Sequence, residues 1–161
     1  MEIADGQVLM TARAVGWHDL NAIRVARQLR RQIPGPLVAE PVGDAEDAEL
    51  GTLRRPDVVV VPETAFPGES VDPREILLAV EVVSVSNPDN DYVAKSRDYP
   101  RMGIEHYLII DPRDGTCLHQ WEPGPHGYAN RVHYKFGDVF MIGDWAIDSG
   151  AFEVYPREAD R

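Results

Sequence analysis

Two carboxylates and a lysine stand in this chain where their types invite chemistry. Glu81 sits inside Ile76-Leu77-Leu78-Ala79-Val80-Glu81-Val82-Val83, a run that is apolar at both parities except for that one side chain. Buried there as an ion without a partner, it would cost several kcal/mol, so it needs a cation, a proton or water. Asp57 poses the same problem at the head of Asp57-Val58-Val59-Val60-Val61, and strands consecutive in sequence are usually neighbours in space. Two carboxylates about 5 Å apart repel by roughly 3 kcal/mol at an effective dielectric of 20. A divalent cation between them turns that repulsion into binding. Fourteen residues beyond Glu81 stands Lys95, and Asp91, Lys95 and Tyr99, spaced i, i+4, i+8, share one face of a helix. A cation-binding carboxylate pair beside a lysine suits metal-assisted hydrolysis of a phosphodiester. The ion polarises phosphoryl oxygens and lowers the pKa of its water, while the ammonium stabilises charge or orients the nucleophile.

Each of these residues also has a purely structural reading. Asp57 after Pro56 is ordinary punctuation at a strand start. Glu81 as one half of a buried pair with an arginine, and Lys95 as a surface lysine bridged to Asp91, are the corresponding alternatives. Cys117 and His119, at i, i+2 on one strand face, are too few for a zinc site of three or four ligands. Trp17, Trp121 and Trp145 read as core or interface residues.

The elements that must position these groups follow from the pattern. Glu2–Ala4 and Gln7–Thr11 read as a hairpin turning at Asp5-Gly6. His18 to Ile33 is helical, with Ala22, Ala26, Leu29 and Ile33 on one face, and Arg24, Arg27, Arg30 and Arg31 are candidates either to track a phosphate backbone or to form a solvated face. Pro34-Gly35-Pro36 stops that helix, Leu37–Val42 is a strand, and Asp44, Glu46, Asp47 and Glu49 read as a solvated acidic loop. The runs 57–61 and 76–84 are strands buried on two faces. Asn87-Pro88 supplies an N-cap and a first-turn proline for a helix from Pro88 until Tyr99 or a little beyond, closed by Pro100 and Gly103. Glu105–Ile110, Thr116–Trp121 and Tyr128–Tyr134 then form strands, the last two an antiparallel meander.

Composition sets the outer limits. The chain has 161 residues, 43% of them hydrophobic, one cysteine and a net charge of −11, which reads as a single domain over 1–161 with no internal disulfide. Residues 1–33 carry a net +2 and the remainder −13. Bulk positive charge therefore does not drive nucleic-acid binding, and any contact is local or helped by a metal. No apolar run approaches a membrane span and no leader pattern opens the chain, so a cytoplasmic location is expected.

In this order, helix 18–33, strands 37–42, 57–61 and 76–84, helix 88–99 and strand 105–110 resemble the αβββαβ core of the PD-(D/E)XK nuclease superfamily. More narrowly, Arg55-Pro56-Asp57 with its valines, Glu81-Val82-Val83-Ser84, Asp91…Lys95…Tyr99 and Gly103-Ile104-Glu105-His106-Tyr107-Leu108-Ile109-Ile110-Asp111-Pro112 look like the Uma family of putative restriction endonucleases. The likeness runs from Glu2-Ile3-Ala4-Asp5-Gly6 to the strands after Asp111. It implies an α/β fold of the α+β, mixed-sheet kind, a restriction-endonuclease-like core with an added antiparallel β meander. It also implies a Mg²⁺-dependent endonuclease acting on DNA, with Mn²⁺ as a substitute. The metal ligands would be Asp57, Glu81 and the main-chain carbonyl of Val82, and Lys95 the catalytic lysine. His18, Asp91 and Tyr99 are accessory candidates, and Arg24, Arg27, Arg31 and Arg55 candidate DNA contacts. One departure stands out: the position two after Glu81, where the superfamily pattern has lysine, is Val83. A nuclease fold without turnover, serving as a binding module, is the alternative function. Cleavage of a duplex is compatible with a two-fold homodimer.

Overall fold

In the computed structural model, which describes residues 1–10, 16–41, 43–66 and 68–157, the apolar runs in the middle of the chain become the centre of a six-stranded sheet. In chain order the elements are β1 (Glu2–Ala4), β2 (Gln7–Leu9), α1 (Trp17–Arg30), β3 (Leu37–Glu40), β4 (Asp44–Asp47), β5 (Thr52–Arg54), β6 (Val58–Pro62), β7 (Ser70–Val71) and β8 (Leu78–Val82). A π-helical segment (Asn90–Lys95) then runs directly into α2 (Ser96–Arg101), followed by β9 (His106–Asp111), β10 (Thr116–Gly124), β11 (Gly127–Lys135), β12 (Val139–Ile142) and β13 (Trp145–Asp148). Thr11 and Val42, expected at strand ends, lie outside the described residues.

The large sheet has the order β11-β10-β9-β8-β6-β3. β8 is antiparallel to β6 and parallel to β9; a parallel pair needs a crossover, and residues 90–101 supply it. The expected burial of both central strands on two faces follows from how the sheet is covered. One face carries Val58, Val60, Leu78, Val80 and Val82 against Val25, Ala26 and Leu29 of α1 and the β12–β13 hairpin. The other carries Val59, Val61, Ala79 and Val83 against Tyr99, Met102 and Ile104, and against Ala45 and Val71 of a second sheet. That second sheet has the order β2-β1-β5-β4-β7. The core order α1-β3-β6-β8-α2-β9 is thus the expected αβββαβ arrangement, and β9, β10 and β11 form the added antiparallel meander.

One local expectation is corrected and another refined. The acidic segment after Pro41 is not a solvated loop: its first four residues form β4, which pairs with β5 and β7. Only Ala45 of that strand must face the core, where it is fully buried. Acidic residues are poor strand formers, and the burial of one alanine between them left no visible alternation. The helix expected from Pro88 until Tyr99 or a little beyond carries a π turn over Asn90–Lys95, in which the Ser96 hydroxyl also donates to the Asp91 carbonyl at 3.2 Å, and it ends a little past Tyr99, at Arg101, as expected. Gly103, at φ 81°, then reverses the chain in the left-handed region, so that Ile104 N–H returns to the Tyr99 carbonyl at 3.1 Å.

Residues 146–153 dock onto α1 and the turn after it through side-chain amides. Gln28 donates to the Asp148 carbonyl (2.9 Å) and accepts from its N–H (2.7 Å). Gln32 does the same with Ala146 at 2.7 and 2.8 Å, and Asn21 with Glu153 at 2.9 Å in both directions. Each amide satisfies one donor and one acceptor of an otherwise unpaired backbone, as a neighbouring strand would.

Candidate active site

β6 begins where β8 ends, and Asp57 lies at that opening. Its N–H donates to the Val80 carbonyl at 3.1 Å, and its Oδ2 accepts from the Val82 N–H at 2.7 Å. The two bonds bracket Glu81. Past the start of β6 no main-chain partner remains on that side of β8, and the Asp57 carboxylate takes the acceptor's place. By alternation with Ala79 and Val83, Glu81 points to the face covered by α2. There Lys95 Nζ stands 2.9 Å from Glu81 Oε1, 3.3 Å from Glu2 Oε1 and 3.4 Å from Asp91 Oδ1. The Tyr99 hydroxyl donates a short hydrogen bond to the same Glu81 oxygen. The partner of the buried Glu81 is therefore a lysine, and the arginine alternative is set aside. Lys95 is itself buried at 4% exposure, so it is not a solvated lysine bridged only to Asp91.

His18, in the first turn of α1, comes to Asp57 from the opposite face around the end of the strand. Its Nε2 lies 3.3 Å from Asp57 Oδ2 and its Nδ1 3.3 Å from Asp19 Oδ1. Burial acts to lower the imidazole pKa, but the hydrogen bonds and charges of Asp57 and Asp19 outweigh it and push it up to about 9. At Asp57, burial acts to raise the carboxyl, and the bond and charge of His18 overcome that and hold it below its ordinary value. This pairing sets a pH dependence. The histidine's contribution to stability is fully present below its ordinary 6.5 and is lost as pH rises through about 9. The unfolding midpoint of the wild type therefore falls between pH 7 and 10 more steeply than that of His18→Gln, measured by circular dichroism melts; parallel curves would remove His18 from the charge balance.

Around Lys95 the acids outnumber the cations. Burial, with the charges of Asp57 and Asp91, pushes Glu81 well above the usual carboxylate range despite Lys95. Burial likewise pushes Asp91 up to about 6. Lys95 is raised because the attraction of Glu81, Asp91 and Glu2 exceeds the cost of burying its ammonium. A group of carboxylates this dense holds extra positive charge by whatever means is at hand, a proton or a cation.

The donor chemistry fits a hard divalent cation. Asp57 and Glu81 each accept their hydrogen bonds on one oxygen, Oδ2 and Oε1. Oδ1 and Oε2 are left without a hydrogen-bond donor among the described residues. Among those residues no three His, Cys, Asp or Glu side chains converge as a metal cage. One or two carboxylates completed by a carbonyl and waters is the mode Mg²⁺ favours. Cys117 and His119 do not converge either: Cys117 is packed in the core beneath α1, and His119 Nε2 meets His106 Nδ1 at 3.0 Å.

Of the arginines, Arg24 binds the Ala151 carbonyl at 2.8 Å and Arg30 the Ala39 carbonyl at 2.8 Å. Arg55 binds Asp44 at 2.9 Å. These three are tied into the fold, while Arg27 and Arg31 are exposed at the far end of α1. Trp145 packs on the core, Trp121 stacks on His119, and Trp17 is largely exposed.

Three buried residues, Glu2, Arg54 and Asp98, and the half-buried Asn90 escaped the sequence reading. Glu2 reaches Lys95 and Arg54; Arg54, fully buried, binds Asp98 through Nε at 3.1 Å and Nη2 at 2.6 Å, Asn90 through Nη1 at 3.1 Å, and Glu2 at 3.3 Å. The only signal that could have found them is the polar Glu2 and Arg54 in short strands at positions facing the core.

A family profile described as Uma2, putative restriction endonuclease, matches residues 1–144. The fold is shared with a solved structure described as a putative nuclease belonging to DUF820 from Anabaena variabilis. The two superpose with a TM-score of 0.74 at 11% identity, over 93% of this chain and 87% of that one. No curated protein sequence matches the chain. Among the described residues no helix is long and apolar enough to cross a membrane. With a profile that spans most of its sequence, the chain belongs to the Uma2 family of putative restriction endonucleases.

Proposed function

We propose that this chain is an endonuclease that hydrolyses DNA phosphodiester bonds with a divalent cation, Mg²⁺ or Mn²⁺. The cation would be held by Asp57, Glu81 and the main-chain carbonyl of Val82. The observation that carries the reading is the buried Glu81–Lys95 pair with the half-buried Asp57 beside it, bound to the N–H of Val82, the residue next to Glu81. When bound, the cation polarises a phosphoryl oxygen and lowers the pKa of a coordinated water. The chain's own groups do the rest. Lys95, held protonated by its three carboxylates, serves as an ammonium that stabilises negative charge rather than as a base. Tyr99, whose hydroxyl burial and Glu81 keep protonated, fixes the Glu81 carboxylate by its hydrogen bond. His18 fixes that of Asp57. Arg27 and Arg31 are the exposed cations of α1 available to phosphates.

The test is calorimetric titration of Mg²⁺ and Mn²⁺ into the protein, paired with nicking of a supercoiled plasmid. Binding together with metal-dependent nicking supports the nuclease, binding without nicking supports the fold as a binding module, and no binding overturns the site. The same cation should raise the unfolding midpoint, by the equivalent of about 2.7 kcal/mol at a hundredfold excess over Kd. Because it binds ionised carboxylates, and burial holds Glu81, one of its ligands, well above the usual carboxylate range, the rise is larger at pH 8 than at pH 5. A midpoint indifferent to Mg²⁺ at pH 8 would contradict the assignment.

A further inference from the structure

Glu2 is neither a cation ligand nor a reacting group in the chemistry described above, yet it is buried beside it, on β1 of the other sheet. Both of its oxygens are engaged. Oε1 accepts from the Arg55 N–H at 3.1 Å and lies 3.3 Å from Lys95 Nζ, while Oε2 accepts from Arg54 Nη1 and Asn90 Nδ2, each at 3.3 Å. Asn90 and Lys95 are the first and last residues of the π-helical segment, so one carboxylate ties down both of its ends. An ammonium has three protons and no acceptor. Glu81, Glu2 and Asp91 stand around it at 2.9, 3.3 and 3.4 Å, so three carboxylates surround a group with three protons to give. Arg54 does not depend on Glu2 for a counter-ion, since Asp98 binds it through two contacts of 3.1 and 2.6 Å. Lys95 has no comparable double contact.

We propose that Glu2 is a positioning residue for Lys95, holding the ammonium against Glu81 from a strand that the reactive groups themselves do not occupy. Its effect on turnover rests on the nuclease reading; its effect on Lys95 does not.

The two consequences are measured separately. Lys95 and Lys135 are the only lysines in the chain, and Lys135 is exposed. In full-length protein labelled with ¹⁵N-lysine, a slowly exchanging ammonium signal therefore reports Lys95 alone. That signal should be present in the wild type and lost in Glu2→Gln. In plasmid nicking, Glu2→Gln should lower kcat about 10- to 100-fold, as removal of a supporting partner does, with KM unchanged. The same substitution should change kcat less than about twofold when placed in Lys95→Met, since a residue acting through another has no effect once that other is gone. Persistence of the Lys95 signal in Glu2→Gln, or equal losses of kcat in both backgrounds, would overturn the proposal. If Glu2→Gln does not fold, Glu2→Asp keeps the charge facing Arg54, shortens the reach to Lys95 and is read in the same way. A wild type that cleaves nothing with Mg²⁺ or Mn²⁺ would overturn the nuclease reading, and the spectrum would still decide whether Glu2 fixes Lys95.

Discussion

Glu81→Gln should lower Mg²⁺-dependent cleavage on the order of 10²- to 10³-fold, the scale on which single groups aimed at developing charge act, and should weaken Mg²⁺ binding in calorimetry. It should do so without unfolding the protein. Breaking a buried pair is usually costly because a lone charge is left behind, but here Lys95 keeps Glu2 and Asp91 within 3.4 Å. A carboxyl whose ionisation burial, Asp57 and Asp91 already oppose is also replaced by a neutral amide of the same shape. The unfolding midpoint should hold or rise. Asp57→Ala makes the contrast: it should lose cleavage as well, but it leaves the Val82 N–H without the acceptor at 2.7 Å, at a cost of about 1–3 kcal/mol. Unchanged nicking by either variant would sink the site.

Arg54→Met should have the largest effect on stability, about 3–5 kcal/mol, lowering the unfolding midpoint by on the order of 10 °C. The guanidinium is fully buried and serves Asp98, Glu2 and Asn90 at once. Its loss leaves Glu2 with Lys95 as its one cation, beside the Arg55 N–H and Asn90, and Asp98 with only the half-exposed Arg97 at 2.8 Å. Arg54→Lys should recover little of the loss, because one ammonium cannot reproduce a planar fork that meets three partners. Chemical denaturation of the three proteins decides this; a Met variant within 1 kcal/mol of wild type, an order-of-magnitude threshold taken from exposed pairs, would show that the network is dispensable.

What was legible in the sequence was local. A carboxylate inside an apolar run contradicts its surroundings, which is why Glu81 stood out, and Asp57 was conspicuous as the polar head of four valines. The elements around them followed from β-branched runs and proline or glycine stops. Lys95 was visible through its spacing from Asp91, though the turn that carries it was not: a π segment and an α-helix have nearly the same pattern of apolar residues and differ in which carbonyl a donor reaches. Glu2, Arg54 and Asp98 were hidden for another reason. Each is an ordinary charged residue in its own neighbourhood, and apart from Arg97 beside Asp98 its partners lie 36 to 93 positions away, from Arg54 with Asn90 to Glu2 with Lys95. Only the pairing of β1 with β5, and the packing of their sheet against α2, brings them together.

The segment that family likeness recognises and the segment that holds itself together are not the same length. The profile ends at residue 144, between β12 and β13, which pair from Val139 with Asp148 to Ile142 with Trp145. Past that point lie the backbone groups that occupy the amides of Gln28 and Asn21 on α1, the helix whose first turn carries His18, and of Gln32 just after it. Family recognition and mechanical support of the helix that carries His18 are thus separable in this chain: residues beyond the profile brace a helix that lies within it.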